Sequence, residues 1–188
     1  VERKVSLEKQ VAQLFIVSLP AYPVSQSASI WIRRTQPGGM VLTGQYSYQV
    51  KDLPGLTSKL QSLVSIPMWI AIDQEGGKVQ RIKHHSVNLA SQKMLGHQLD
   101  PYVTRILNHK LGVKLHSFGI NMNLAPVLDV LSNPKNKVIG HRSYHQIAFH
   151  AAQHAVFAYQ GLQDAGLVAV GKHFPGHGGT DADSHFET

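Results

Sequence analysis

The sequence predicts an α/β fold of the (β/α)8 TIM-barrel type, incomplete in this chain, with about five of eight βα units present. Two observations predict it. Short apolar runs alternate with amphipathic helical patterns along the chain, the signature of βα units around a parallel sheet. Four of those runs also end in polar, Gly-rich or charged residues: Thr43-Gly44-Gln45, Asp73-Gln74-Glu75-Gly76-Gly77, Asp129, and the stretch 171–185. Functional groups gathered at the C-terminal ends of successive strands are the barrel's arrangement. A closed barrel needs eight strands and roughly 250 residues, and this chain has 188. Residues 1–188 are therefore expected to form the N-terminal portion of a single barrel domain. Its raw edges call for the remaining part of the same barrel as a partner.

Each element has a local reason. Ser6 caps a helix with Glu8 in its first turn, and Leu7, Val11, Leu14 and Phe15 follow at helical spacing. The apolar run 15–19 reads as a first strand, broken by Pro20 and Pro23. Gly38-Gly39 introduces a second, Met40-Val41-Leu42. Asp52 and Pro54 open a helix whose Leu53, Leu56, Leu60, Leu63 and Val64 share one face. Pro67 ends it, and 68–72 is a third strand, apolar on both faces as parallel strands are. Asp100-Pro101 starts a helix keeping period through Val103, Ile106, Leu107, Leu111, Leu115 and Phe118; Gly119 closes it before a fourth strand, 120–125. Residues 148–165 are Ala-rich and helical, Gly166 stands where a left-handed cap belongs, and 167–170 is the fifth strand.

Composition narrows the classes. With 43% hydrophobic residues the chain can build one real core. It has no Cys, which removes disulfide and thiol chemistry and fits a reducing compartment. Its apolar runs are too short to span a bilayer, and the polar first ten residues show no signal peptide. A net charge of +7 invites a nucleic-acid reading. The basic residues are scattered, however (Arg33-Arg34, Lys78/Arg81/Lys83, Lys135/Lys137), without interleaved aromatics. Dispersed surface charge explains them better, and no nucleic-acid partner is expected.

The stretch 171–185 reads Gly-Lys-His-Phe-Pro-Gly-His-Gly-Gly-Thr-Asp-Ala-Asp-Ser-His and holds three His, two Asp and a Lys among four Gly. Core packing does not need so many titratable groups on so flexible a loop, so it reads as a catalytic loop. Asp183 and His185, two apart, share a face of an extended segment. An Asp beside a His fixes its tautomer and stabilises the imidazolium. Asp73 and Glu75 stand at a strand end before a Gly pair that lets backbone approach a ligand. Arg142 lies in a loop after the fourth strand. Gly166–Lys172 approaches a phosphate-binding loop, but His173 replaces its Ser or Thr and the two Gly straddle a strand, so that reading is rejected. A metal held by His173, His177, Asp181, Asp183 and His185 remains an alternative, although their spacing matches no zinc signature.

Together these residues resemble glycoside hydrolase family 3, in its β-N-acetylhexosaminidase branch, over nearly the whole chain. Ala71-Ile-Asp-Gln-Glu-Gly-Gly-Lys-Val-Gln-Arg81, Asn123-Leu-Ala-Pro-Val-Leu-Asp-Val130 and Ile139-Gly-His-Arg-Ser-Tyr144 carry the pattern, and Lys-His-Phe-Pro-Gly-His-Gly followed by Asp-Ser-His is its most specific piece. The resemblance implies that Asp73, Arg81, Arg142, Lys172 and His173 hold the hydroxyls of a terminal N-acetylglucosamine-type sugar. It makes His185 the catalytic acid/base, oriented by Asp183. It implies a retaining exo-β-N-acetylglucosaminidase acting on cell-wall (peptidoglycan) fragments or chitin-type oligosaccharides, with its carboxylate nucleophile beyond residue 188. No metal and no cofactor are implied. The isolated chain is then expected to be inactive, and phosphorolysis is a variant of the same chemistry. A cell-wall recycling role would place the protein in the bacterial cytoplasm, and a removed signal segment would place it outside. Two departures touch finer contacts: His141 stands where an acidic residue is usual, and Gln45-Tyr46 where an Arg-Asn pair is common. The rivals are a metal-dependent barrel hydrolase and a non-catalytic sugar-binding fragment.

Overall fold

The computed structural model describes residues 5–98 and 100–181. In chain order the elements are α1 (Leu7–Ala12), β1 (Ile16–Ser18), α2 (Gln26–Thr35), β2 (Gly39–Leu42), α3 (Leu53–Ser62), β3 (Trp69–Ile72), the hairpin strands β4 (Gln74–Gly76) and β5 (Val79–Gln80), α4 (Gln92–Gln98), α5 (Pro101–Ser117), β6 (Met122–Asn123), α6 (Ala148–Asp164) and β7 (Val168–Ala169). The main sheet runs β1-β2-β3-β6-β7 with every pair parallel. Sheet order is chain order, with no point at which the winding reverses. That is the winding of a (β/α)8 barrel and not of a doubly wound sheet. Five parallel strands, as the pattern of apolar runs predicts, thus form part of a barrel.

The core lies between this sheet and its helices, with Leu19, Met40, Leu42, Ile70, Ile72 and Leu60 removed from solvent. Gly166 takes a positive φ at the end of α6, as expected of a left-handed cap. Four features differ from the sequence reading. α2 was not apparent: Ser25 caps it by accepting from the Ala28 N–H at 3.1 Å, but only Ala28 and Ile32 of its ten residues are buried. α4 was equally silent. In α1 no residue is buried, and Leu7, Val11, Leu14 and Phe15 all face outward among the described residues. In α5 the buried stripe is Thr104, Asn108, Leu111 and Leu115, while Ile106 is exposed.

The α5 shift has a packing cause. Helix α6 crosses closely enough that a Cβ on Gly161 would lie 2.3 Å from the Arg105 carbonyl oxygen. Two polar side chains under the crossing are satisfied: Thr104 Oγ1 bonds His154 Nδ1 at 2.9 Å, and the Asn108 amide donates to the Thr104 carbonyl at 2.9 Å. A hydrogen-bonded Thr or Asn can be buried at little cost. Close approach therefore outweighs side-chain hydrophobicity at this interface.

β6 and β7 are shorter than the apolar runs that contain them. Pro126 has no N–H to continue the ladder, and pairing resumes as a parallel bridge between Val127 and Lys172. There Leu128 N donates to Lys172 O at 2.6 Å, and Lys172 N to Pro126 O at 3.2 Å. This irregular pairing fixes the chain around Asp129 against the start of the 171–181 loop. Among the described residues, no helix is long and apolar enough to cross a membrane.

Candidate active site

The site begins where β3 ends. Asp73 follows Ile72 directly, and the chain then turns through the β4–β5 hairpin. Gly76 and Gly77, at φ 102° and 59°, take backbone shapes that other residues avoid. Buried Gln74 ties the hairpin to the chain beyond it: its side-chain oxygen accepts from the Arg81 and Ile82 N–H groups at 2.9 and 3.1 Å, and its nitrogen donates to the Ile82 and Val87 carbonyls. Asn123 of β6 clasps the Gln74 backbone from the other side at 3.1 and 3.0 Å. These bonds return Arg81 to Asp73, with Nη2 donating to Oδ2 at 3.2 Å.

The other charges come from later strand ends. Lys172, past β7, sets its Nζ 2.6 Å from Asp73 Oδ1 and 2.5 Å from Glu75 Oε1. Arg142, in the 3-10 turn Gly140–Arg142, grips Glu75 with Nε and Nη2 at 2.9 and 3.0 Å. Its Nη2 also reaches His173 Nε2 at 3.2 Å, and His173 Nδ1 lies 2.6 Å from Asp129 Oδ2. A guanidinium has no acceptor, so Nε2 accepts and Nδ1 carries the proton that Asp129 receives. Asp129 also accepts the backbone N–H groups of His173 and His177.

Asp73, Arg81, Arg142, Lys172 and His173, the five residues picked out for sugar binding, thus form one connected network. Asp183 and His185 lie outside the described residues. The sequence reading named Glu75 and Asp129 as strand-end groups but gave neither a part in holding the sugar, yet both organise the site. A signal for Glu75 was present: it stands two residues from Asp73 in an extended segment and so shares its face. For Asp129 the only signal was its place after a strand.

The family model for the glycosyl hydrolase family 3 N terminal domain matches residues 6–188. The chain belongs to glycosyl hydrolase family 3. A β-hexosaminidase of Nitrosomonas eutropha is 37% identical over 157 residues, covering 80% of this chain and 45% of that protein. A family 3 β-N-acetylglucosaminidase from Paenibacillus sp. superposes with a TM-score of 0.92 at 35% identity, over 97% of this chain and 35% of that one. NagZ from Neisseria gonorrhoeae, solved in complex with N-trifluoroacetyl-D-glucosamine, superposes with a TM-score of 0.83 at 29% identity, over 92% of this chain and 52% of that one. The chain spans less than half the length of the curated relatives it matches.

Within this family 3 domain the site is charge-balanced. Three carboxylates, Asp73, Glu75 and Asp129, face three cations, Arg81, Arg142 and Lys172. Burial pushes the Asp73 carboxyl upward, but hydrogen bonds and charge from Lys172 and then Arg81 outweigh it and hold Asp73 below the usual carboxylate range. Burial opposes the charge on Arg142 as well, and Glu75 more than restores it. Several bonding positions stay open. Asp73 has roughly four lone-pair sites and spends two of them. Lys172 keeps one of its three N–H groups free of the two carboxylates, and Arg81 Nε is buried with no hydrogen-bond partner among the described residues. An open carboxylate acceptor beside a free ammonium N–H is a pairing that suits vicinal hydroxyls.

Most of the donors here are already committed to one another, and Asp183 and His185, two of the candidate metal ligands, lie outside the described residues. Asp73 and Glu75 already carry cations on both sides, His173 is spoken for at both ring nitrogens, and His177 Nδ1 faces Thr180 Oγ1 at 2.9 Å. No group of three or more His, Asp or Glu is placed to hold an ion among the described residues. Of the two departures from the family pattern, His141 is exposed, and Tyr46 packs against Tyr22 and Tyr48 with ring centroids 6.1 and 6.3 Å away.

Proposed function

We propose that the protein carrying this chain is a retaining exo-β-N-acetylglucosaminidase that releases terminal N-acetylglucosamine from peptidoglycan fragments or chitin-type oligosaccharides, and that residues 1–188 are the N-terminal portion of its single catalytic barrel. The observation that carries the reading is Asp73, held ionised between Lys172 and Arg81 with acceptor positions left open beside unused N–H donors. Relatives named β-hexosaminidase and a neighbour solved with a glucosamine derivative support the choice of sugar.

In this reading Asp73, Arg81, Arg142, Lys172 and His173 hold the terminal sugar. Arg142 does so with little to spare: Glu75, His173 and the Val138 carbonyl take four of its five N–H bonds, leaving one on Nη1. His185, oriented by Asp183, gives its proton to the departing glycosidic oxygen. A carboxylate nucleophile from beyond residue 188 attacks the anomeric carbon from the opposite side, forming a covalent glycosyl-enzyme that water then releases. The other partner is the rest of the barrel, and the isolated chain does not turn over.

The test uses the whole protein. His185→Ala should slow natural glycosides by about 10²–10⁴. Glycosyl-enzyme formation from aryl glycosides with good leaving groups should suffer far less, since such leaving groups need no proton. Equal losses on both substrates would overturn the assignment of His185.

A further inference from the structure

The chain that runs on from β7 toward Asp183 and His185 is held by the segment 129–136, which follows β6. At one end Asp129 accepts the His173 and His177 N–H groups. A Cβ on Gly178 would lie 1.9 Å from the Val130 carbonyl oxygen, so the two backbones pass in contact. Past that point two asparagines take over from the sugar-binding network. The Asn133 N–H donates to the Gly178 carbonyl at 3.1 Å, and its side-chain amide donates to the Thr180 carbonyl at 3.2 Å and to Asp181 Oδ1 at 2.6 Å. Buried Asn136 donates from its amide to the His177 carbonyl at 2.7 Å and to the Thr180 carbonyl and Oγ1, each at 3.1 Å.

The other end of the Asn136 side chain points to the sugar-binding side. Its oxygen accepts the Ile139 N–H at 2.9 Å, and the Ile139 carbonyl accepts the Arg142 N–H at 2.7 Å. One buried side chain therefore joins the turn that presents Arg142 to the turn 177–180. An amide suits this place because its oxygen only accepts and its nitrogen only donates, so the two ends cannot exchange partners. Removing the amide would leave buried main-chain carbonyls without a donor, which costs more than the bond itself is worth. Asp181 stands two residues before Asp183 and four before His185. Four residues reach at most roughly 14 Å, so the fixing of Thr180 and Asp181 sets the region open to the proton donor.

We propose that Asn133 and Asn136 are positioning residues for the proton donor. They fix the chain at 177–181 so that His185 meets the glycosidic oxygen, and Asn136 ties that placement to the turn carrying Arg142. Neither is among the groups assigned to the sugar, and both act through His185, so this rests on the assignment of His185 to proton donation.

The experiment measures kcat/KM of the whole protein on a series of aryl β-N-acetylglucosaminides whose phenols range from strongly to weakly acidic. Asn136→Asp keeps the acceptor for Ile139 and loses the donors to His177 and Thr180. Asn133→Ala loses only the side-chain bonds at the loop surface, and it decides alone if Asn136→Asp does not fold. A misplaced proton donor harms only leaving groups that need the proton. Asn136→Asp should therefore lose about 10–100-fold on the least acidic phenol and about threefold or less on the most acidic. Asn133→Ala should lose about three- to tenfold on the least acidic phenol, with the same dependence. Added to His185→Ala, neither substitution should cost more than about twofold further on the least acidic phenol, since the group it positions is gone. Loosened packing would instead lower the rate evenly across the series. An even loss, full additivity with His185→Ala, or no loss in either variant overturns the positioning role and leaves His185 in place. If His185→Ala itself shows no dependence on the phenol, the proton-donor assignment falls and takes the positioning role with it.

Discussion

Replacing Glu75 by Gln removes the one carboxylate that faces both Lys172 and Arg142. Its side chain is 1% exposed, against 17% for Lys172 and 21% for Arg142. Breaking a buried pair from one side costs about 3–5 kcal/mol because the remaining charge is stranded. Here the stranded cations keep some water, and Lys172 retains Asp73 at 2.6 Å, so the cost falls at or just below that range, about 2–3 kcal/mol. In a domain of this size each kcal/mol moves Tm by about 2–4 °C, which gives a fall of roughly 4–12 °C. Thermal and urea unfolding followed by circular dichroism measure it. The internal control is Asp164→Asn, which breaks the Arg105–Asp164 pair of 2.7 Å, whose partners are 39% and 42% exposed. Exposed pairs contribute about 0–1 kcal/mol, so this variant should stay close to the parent. If Glu75→Gln unfolds with the control, then Glu75 is not the anchor of the cluster and the account of how Arg142 and Lys172 are held is wrong.

Three further outcomes follow from the same structure. Gly161→Ala should cost about 1–3 kcal/mol, read as a lower urea midpoint, because its Cβ would meet the Arg105 carbonyl at 2.3 Å; an unchanged midpoint would show that α5 and α6 can part freely. Nitrogen NMR should find His173 carrying its proton on Nδ1, with Nε2 as the acceptor, and Asp129→Asn should disturb that signal because the imidazole loses its carboxylate partner at 2.6 Å; a proton on Nε2 alone would contradict the Arg142 contact. Asp73 is held below its usual range, with burial opposing and Lys172 and Arg81 prevailing, so its contribution is present above the unfolded value of about 3.9 and fades as pH falls through the folded value. The stability gap between the parent and Asp73→Asn should therefore be constant from pH 5 to 7 and close below about pH 4; a gap that widens in acid would reverse the sign.

What could be read in the sequence was what depends on chain neighbours. A polar residue after a buried run marks a strand end, and this placed Asp73 and Lys172. Helix α6 and its Gly166 cap were legible from Ala content and a single glycine. Helix α2 was not, because a Gln-Ser-Ala-Ser start has no hydrophobic period and its two buried residues are too few to show one. The stripe of α5 was displaced because hydrogen bonds across to His154 and within the helix made Thr104 and Asn108 acceptable inside, a fact that resides in α6. By its own neighbours Arg142 reads only as a loop arginine, and it was the family resemblance that singled it out. Its partner Glu75 lies 67 residues earlier, and only the β3–β6–β7 register brings the two together.

That register also bears on why so much charge is gathered at a site proposed to bind a sugar. A neutral side chain could hydrogen-bond a sugar, but it would be free to rotate, and the binding would have to order it. In the cluster each charged group is fixed by another: Lys172 between two carboxylates, Arg142 between Glu75 and His173, His173 between Arg142 and Asp129. The mutual pairing absorbs most of each group's bonding capacity, and what is left over points in set directions before any ligand arrives. All of these groups come from the ends of β3 and β7 and the chain following β6, elements present in these 188 residues. The proposed proton donor, His185, follows Lys172 and His173 in the same stretch, and only the proposed nucleophile lies beyond residue 188. Substitutions at Glu75 or Asp129, which hold the proposed binding groups in place, should raise KM and lower stability together, whereas His185→Ala should act mainly by lowering kcat.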